Sequence, residues 1–213
     1  MANRWDTGRT EAFSDGVFAI AITLLVLDIS VPASDFHDLW RGIVNQWPSY
    51  LGYVTSFLTI GGIWMAHHGL FRRMRYADQN VMRLNILLLM VVSFLPFPTA
   101  LMAEALQESR SAERAAVVVY GVVAALIEVL LASASRYAAA HPDLLVEGAP
   151  APPSRDRARG GIRAGLYAVL LLFGILLLPR LAAFGYFAVA AYAVLSPRGE
   201  GRLTLRGSRA VGT

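Results

Sequence analysis

Residues 13–29 read FSDGVFAIAITLLVLDI. From Gly16 to Leu27 the stretch has no charged residue and one hydroxyl, Thr23; Ser14 and Asp15 precede it and Asp28 follows. Such a run is a helix in lipid or in a lipid-buried bundle. At about 100° per residue, Gly16, Ile20, Thr23, Leu24, Leu27 and Val31 fall on one stripe about 100° wide, whereas Asp15 points away from it. The stripe admits two readings. If several copies of the helix surround an axis, Ile20, Leu24 and Leu27 become stacked apolar rings, and a narrow apolar ring gates ions by dewetting. Alternatively the stripe is helix packing, with Gly16 and Ala19 allowing close approach. Periodicity alone does not separate the two.

The whole chain repeats this character. Its 213 residues are 56% hydrophobic with a mean hydropathy of +0.50. That is too apolar for a soluble domain and predicts an all-α polytopic membrane protein built as a single transmembrane domain over residues 1–213. With no cysteine, neither a disulfide framework nor a thiolate metal site forms. The net charge of +4 comes from arginines lying between the apolar runs. Membrane orientation accounts for them there, and no nucleic-acid motif accompanies them. Val31, Ala33 and Ser34 have the look of a signal-peptidase site, but Asp6, Glu11 and Asp15 make a poor charged leader, so the first helix is expected to stay in place.

Six helices are predicted, at about 13–31, 48–70, 83–103, 115–135, 164–178 and 181–195. Residues 31–46 read as a loop with a short interfacial helix, and Trp40 and Trp47 suit a membrane boundary. Pro96 and Pro98 break or kink the third helix. Residues 136–163, containing GAPAPPSRDRARGG, form a flexible basic linker, and the arginine-rich tail at 197–213 is disordered. Pro179 and Arg180 separate the last two apolar runs as a tight helical hairpin. Arginines 4, 9, 72, 73, 75, 83, the group from Arg136 to Arg163 and those of the tail outnumber Arg41, Arg110, Arg114 and Arg180 on the other side. Both termini are therefore expected in the cytoplasm.

Polar residues inside the apolar spans are costly and should face partners rather than lipid. Ser14 and Asp15 lie at a depth comparable to Trp64, His67 and His68 of the second span. We expect one buried network of these residues with Asn85 of the third span, joined by Arg9 from the cytoplasmic edge. A zinc site is disfavoured, because adjacent histidines on a helix diverge by about 100°. Hydrolysis is disfavoured too, since Ser14 and Asp15 are neighbours and no nucleophile elbow is present. Glu128 is an intramembrane acid and so a functional candidate, which a hydrogen bond from Tyr120, Tyr167 or another helix would otherwise satisfy. A proton-coupled secondary transporter using Asp15, His67, His68 and Glu128 is the alternative to a channel, but it normally needs inverted repeats, and the sequence shows no internal repeat.

Arg9, Phe13, Ser14 and Asp15 form an RxxxFSD pattern running into GVFAIAITLLVLDI. This resembles the first-helix signature of the transmembrane protein 175 family, the potassium channels of endosomes and lysosomes and their prokaryotic relatives. The likeness extends less sharply to Trp64–Phe71, where the family also carries a tryptophan and paired histidines, and to Asn85–Thr99. The last two spans match no motif. The resemblance implies a potassium-selective cation channel in the plasma membrane with a central pore lined by the first helix. Animal members carry two six-span repeats and this chain one, which implies a homotetramer in the lipid bilayer. By motif position the constriction falls on Ile20, five residues after Asp15, with Leu24 and Leu27 as further rings. Thr23 adds a hydroxyl, so Ile20 and Thr23 become the selectivity residues, with K+ passing along the axis there and no cofactor. The sequence TVGYG is absent, so an apolar ring replaces a carbonyl filter and favours the ion that sheds water more cheaply. Asp28, Asp35 and Asp38 would concentrate cations near the outer mouth.

Overall fold

The computed structural model describes residues 5–147, 154–176 and 178–195. Its described elements are helices α1 (Thr7–Leu24), α2 (Leu39–Asn45), α3 (Trp47–Phe71), α4 (Gln79–Phe94), α5 (Pro96–Ala105), α6 (Arg110–Ala140), α7 (Ser154–Leu176) and α8 (Pro179–Leu195), with the strands β1 (Trp5–Asp6) and β2 (Tyr76–Ala77). Among the described residues three stretches are long and apolar enough to cross a membrane: Thr7–Asp28, Gln79–Ala105 and Arg110–Ala140. Gly161–Gly174 and Pro179–Leu195 are apolar but shorter.

Several boundaries differ from those expected. α1 starts six residues before Phe13 because the Asp6 carboxylate accepts the Gly8 N–H at 2.8 Å and caps it. It ends in a 3₁₀ turn over Leu25–Asp28. The third span bends rather than stops. Leu95 stays helical between α4 and α5, and Pro96, which has no N–H to donate, takes the first position of α5. The linker expected over 136–163 is narrower. α6 continues through Arg136 to Ala140, and α7 begins at Ser154 and carries Arg163 into the bundle. Residues 148–153 of that linker and the tail at 197–213 lie outside the described residues.

The polarity of the bundle is that of a membrane protein. Ile86, Met90, Val129, Val169 and Leu181 are among many large apolar side chains on the surface, while Ser14, Thr55, Ser56, His67, Asn85, Thr99, Glu113 and Glu128 are all buried. In water this distribution would be strongly unfavourable; in lipid it satisfies both media. α3 is the polar centre and packs against α1, α5, α6 and α8. The Ser56 and Thr99 hydroxyls lie 2.7 Å apart, and Ser56 reaches the Tyr120 hydroxyl at 3.2 Å. Tyr186 donates to the Val117 carbonyl at 3.2 Å, across Gly121, where a Cβ would collide with the phenol.

Two ion pairs fasten the α7–α8 hairpin to α6. Glu113 receives Arg180 Nε at 2.7 Å and Nη2 at 2.6 Å. Glu128 lies 3.2 Å from Arg163 Nη2, with both side chains almost wholly enclosed. The partner of Glu128 is therefore a cation from the segment expected as linker. The two glutamates sit about 22 Å apart along α6 at 1.5 Å per residue, so the hairpin is pinned at two heights.

At the end of the bundle where α1 begins, β1 pairs antiparallel with β2, Trp5 opposite Ala77 and Asp6 opposite Tyr76. Residues 73–75 also bond to 144–146 beyond α6. Asp78 caps α4 through the Asn80 and Val81 amides and accepts the Tyr137 hydroxyl at 2.6 Å. Partial burial raises its carboxyl, but these three donors outweigh that and hold it below the usual carboxylate range.

Arg163→Ala removes the cation from a carboxylate that stays enclosed, at an expected cost of about 3–5 kcal/mol. Thermal unfolding in detergent should show a lower midpoint, regained in large part by Glu128→Gln in the same chain. Equal midpoints for wild type and Arg163→Ala would contradict the pairing.

Candidate functional site

α1 divides into two faces. Thr10, Ser14, Phe18, Ala21 and Leu25 are buried at spacings of four, four, three and four, the period of one helix face. Gly16, Ile20, Thr23, Leu24 and Leu27 lie on the exposed side. Ile20 is 61% and Leu27 72% exposed, and a Cβ added at Gly16 would meet nothing within 4 Å. The stripe is thus left largely open by its own subunit. It faces lipid, water or another copy.

The buried face is held by a directed chain of hydrogen bonds. His67 Nε2–H donates to Asn85 Oδ1 at 2.9 Å, Asn85 Nδ2 donates to Ser14 Oγ at 3.0 Å, and Ser14 donates to the Thr10 carbonyl at 2.8 Å. Donation to the Asn85 oxygen requires a proton on Nε2 of His67. Its ring lies against Phe18 and Phe71, and Nδ1 is buried without a hydrogen-bond partner. Ser14 commits its proton to a backbone carbonyl and is not poised as a nucleophile.

Asp15 and His68 lie outside that chain. Trp64 Nε1–H donates to Asp15 Oδ1 at 2.8 Å, and His68 Nδ1 lies 2.6 Å from Glu11 Oε1. Trp64 and His68 stack with ring centroids 5.7 Å apart. The single expected network is therefore two arms, with Ser14, Asn85 and His67 inside and Asp15, Trp64, His68 and Glu11 at the margin. Arg9 is exposed and has no ion pair among the described residues, and Phe13 is 64% exposed. Glu11 was not among the expected residues. Its signal is its spacing, four residues before Asp15 and so on the same face.

Beside the free stripe, Phe13, Val17, Ile20, Ala21 and Leu24 of α1 and Ile86, Leu89, Met90 and Ser93 of α4 line an apolar groove of about 570 Å³. Thr23 turns its hydroxyl back to the Ile20 carbonyl at 2.9 Å, so its proton is satisfied and its oxygen lone pairs remain available on the exposed face. Among the described residues no group of three or more His, Asp or Glu side chains could hold a metal ion. Glu128 takes no part in either arm, being paired with Arg163.

An α-helical membrane protein with its first helix pinned along one face and bare along the other is built to present that bare face to something outside the subunit. The pattern of the family described as "Endosomal/lysosomal potassium channel TMEM175" matches residues 9–96, which contain α1 from Arg9 onward, both arms and all of α4. A potassium channel of Streptomyces collinus is 54% identical over 114 residues, 53% of this chain and 55% of that one, so the match spans about half of that relative's length. A potassium channel of Chamaesiphon minutus is 44% identical over 147 residues, 68% of this chain and 71% of that one. The crystal structure of a lysosomal potassium-selective channel TMEM175 homolog from Chamaesiphon minutus superimposes with a TM-score of 0.77 at 36% identity, covering 89% of this chain and 96% of that one. The chain belongs to the TMEM175 family, an ion-channel family and not a family of enzymes.

Among the described residues Asn85 links His67 to Ser14, so Asn85→Ala leaves the buried His67 Nε2 without its acceptor and the Ser14 oxygen without its donor. The expected loss is about 2–4 kcal/mol, against about 1 kcal/mol for Trp64→Phe at the half-exposed arm, which removes one hydrogen bond. Denaturant unfolding in micelles measures both; comparable losses for the two variants would contradict the division into a buried and a marginal arm.

Proposed function

We propose that the protein is a potassium-selective channel assembled as a homotetramer around the bare face of α1, with Ile20 as the constriction. The observation that carries this reading is the division of α1 itself: the stripe of Gly16, Ile20, Thr23, Leu24 and Leu27 is free of its own subunit while the opposite face is fixed by Ser14, Phe18, Ala21 and Leu25. The relatives named potassium channels in two bacteria support the ion. In this arrangement Ile20, Leu24 and Leu27 form successive apolar rings, and the Thr23 oxygen lies one turn from Ile20 as the polar group available to a partly dehydrated ion. Potassium gives up its water more cheaply than sodium and passes preferentially. Six spans, both termini in the cytoplasm and a plasma-membrane location complete the reading, supported by the arginine distribution.

The transporter reading loses its relay. Glu128 is engaged by Arg163, and His67 is committed to Asn85, so Asp15, His67 and Glu128 do not form one chain of proton carriers. The apolar stripe instead favours passive permeation.

Purified protein in planar bilayers should carry unitary potassium current with no driving co-substrate. Ile20→Asn should raise the current several-fold and bring sodium permeability close to that of potassium. Because Ile20 is mostly exposed in its subunit, its replacement should change the free energy of unfolding by no more than about 0.5 kcal/mol. Unaltered conductance and selectivity in a well-folded Ile20→Asn protein would overturn the assignment of the constriction.

A further inference from the structure

One part of the molecule is used neither by the polar arms nor by the bare stripe: the seam at the end of the bundle where α1 begins. Its middle layer is residues 73–80, which touch α1 on one side and the end of α6 on the other. On the α1 side, Trp5 and Asp6 pair with Ala77 and Tyr76, and the Thr7 hydroxyl donates to the Met74 carbonyl at 3.3 Å. On the α6 side, Arg75 N–H donates to Leu144 O at 2.8 Å and Val146 N–H to Arg73 O at 3.0 Å. Tyr137 adds its hydroxyl to Asp78 at 2.6 Å and accepts Asn80 Nδ2 at 2.9 Å. Met74, Ala77, Ala138, Leu144 and Leu145 form a separate buried core between the two sides.

We infer that residues 137–146 are a positioning element for the first helix: they hold its starting end through residues 73–80, and their displacement changes how often the constriction at Ile20 opens without changing what passes it. The inference rests on the channel reading given above.

The mechanics follow from the layout. α1 has no proline and is one continuous helix from Thr7 to Leu24, so it moves as a rod. Ile20 lies about 20 Å along that rod from Thr7. The polar arms attach between Glu11 and Ser14–Asp15, between the seam and Ile20, and serve as the point about which a shift of the starting end tilts the far half. The seam meets α1 at its starting end, about 20 Å along the helix from Ile20, so the lining itself keeps its chemistry. Strand pairs of two residues and a single bridge are a small amount of backbone bonding to hold the start of α1 to its neighbours among the described residues, which is what an adjustable tie requires.

Two substitutions cut the α6 side alone. Val146→Pro removes the N–H that bonds Arg73, and Leu145 already has the extended backbone a following proline needs, at φ −87° and ψ 158°. Tyr137→Phe removes the tie to Asp78 and Asn80. Hydrogen exchange read by mass spectrometry should show faster exchange at residues 5–10 in both variants, although neither touches α1. Single-channel recording should show open probability altered at least three-fold, with unitary conductance and the potassium-to-sodium permeability ratio unchanged. Folded variants with wild-type exchange at residues 5–10 would overturn the mechanical coupling, and coupled exchange with wild-type open probability would overturn its role in gating. A wild-type protein that carries no current would sink the channel reading instead, while the exchange result would still decide whether the seam positions α1. Since the chain has no cysteine, a Trp5→Cys and Ala77→Cys pair closed by oxidation supplies the rescue: it should restore slow exchange at residues 5–10 in the Val146→Pro background and lose that effect on reduction.

Discussion

The architecture depends on a buried asparagine. Asn85 presents an acceptor to His67 and a donor to Ser14 from one planar amide. In a bundle surrounded by lipid those groups have no water to turn to, so the three residues fix the rotation of α1 about its own axis. Once that rotation is fixed, the positions of Ile20, Leu24 and Leu27 are fixed as well, on the face that its own subunit leaves uncovered.

The same economy governs the rest of the bundle. α3 turns its buried hydroxyls and His67 against α1, α5, α6 and α8, whereas α4, α6 and α8 place many large apolar side chains outward. Charges that must enter the bundle do so in pairs, Glu113 with Arg180 and Glu128 with Arg163. Each pair joins helices distant in sequence. These pairs act as registration points, since a buried ion whose partner is displaced is far costlier than a displaced leucine.

Much of this was legible in the residues. The 3.6-residue period placed Gly16, Ile20, Leu24 and Leu27 together and Asp15 apart, and the cost of polar groups in lipid singled out Ser14, His67, His68, Trp64 and Asn85. What was not legible is pairing. Glu11 and Asp15 lie on one face, and His67 and His68 diverge by about 100°; which acid meets which ring depends on how α1 and α3 cross, and that information is not local. Arg136 and Arg163 were read as linker because the proline-rich run between them dominates the composition of that window, although α6 and α7 extend past both arginines. Two-residue strands such as β1 and β2 carry no period at all and are visible only in three dimensions.

The central claim is that the bare face of α1 borders an ion path. A cysteine scan along this cysteine-free chain tests it directly, with single cysteines at positions 16, 20, 24 and 27 and at 129 and 169 on the outer surfaces of α6 and α7, each exposed to a charged, water-soluble thiol reagent during potassium flux. Modification and block are expected at 16, 20, 24 and 27 and neither at 129 or 169. Cysteines at 20 and 24 that resist the reagent and instead quench with bromine-labelled lipid chains would place that face in the bilayer and contradict it.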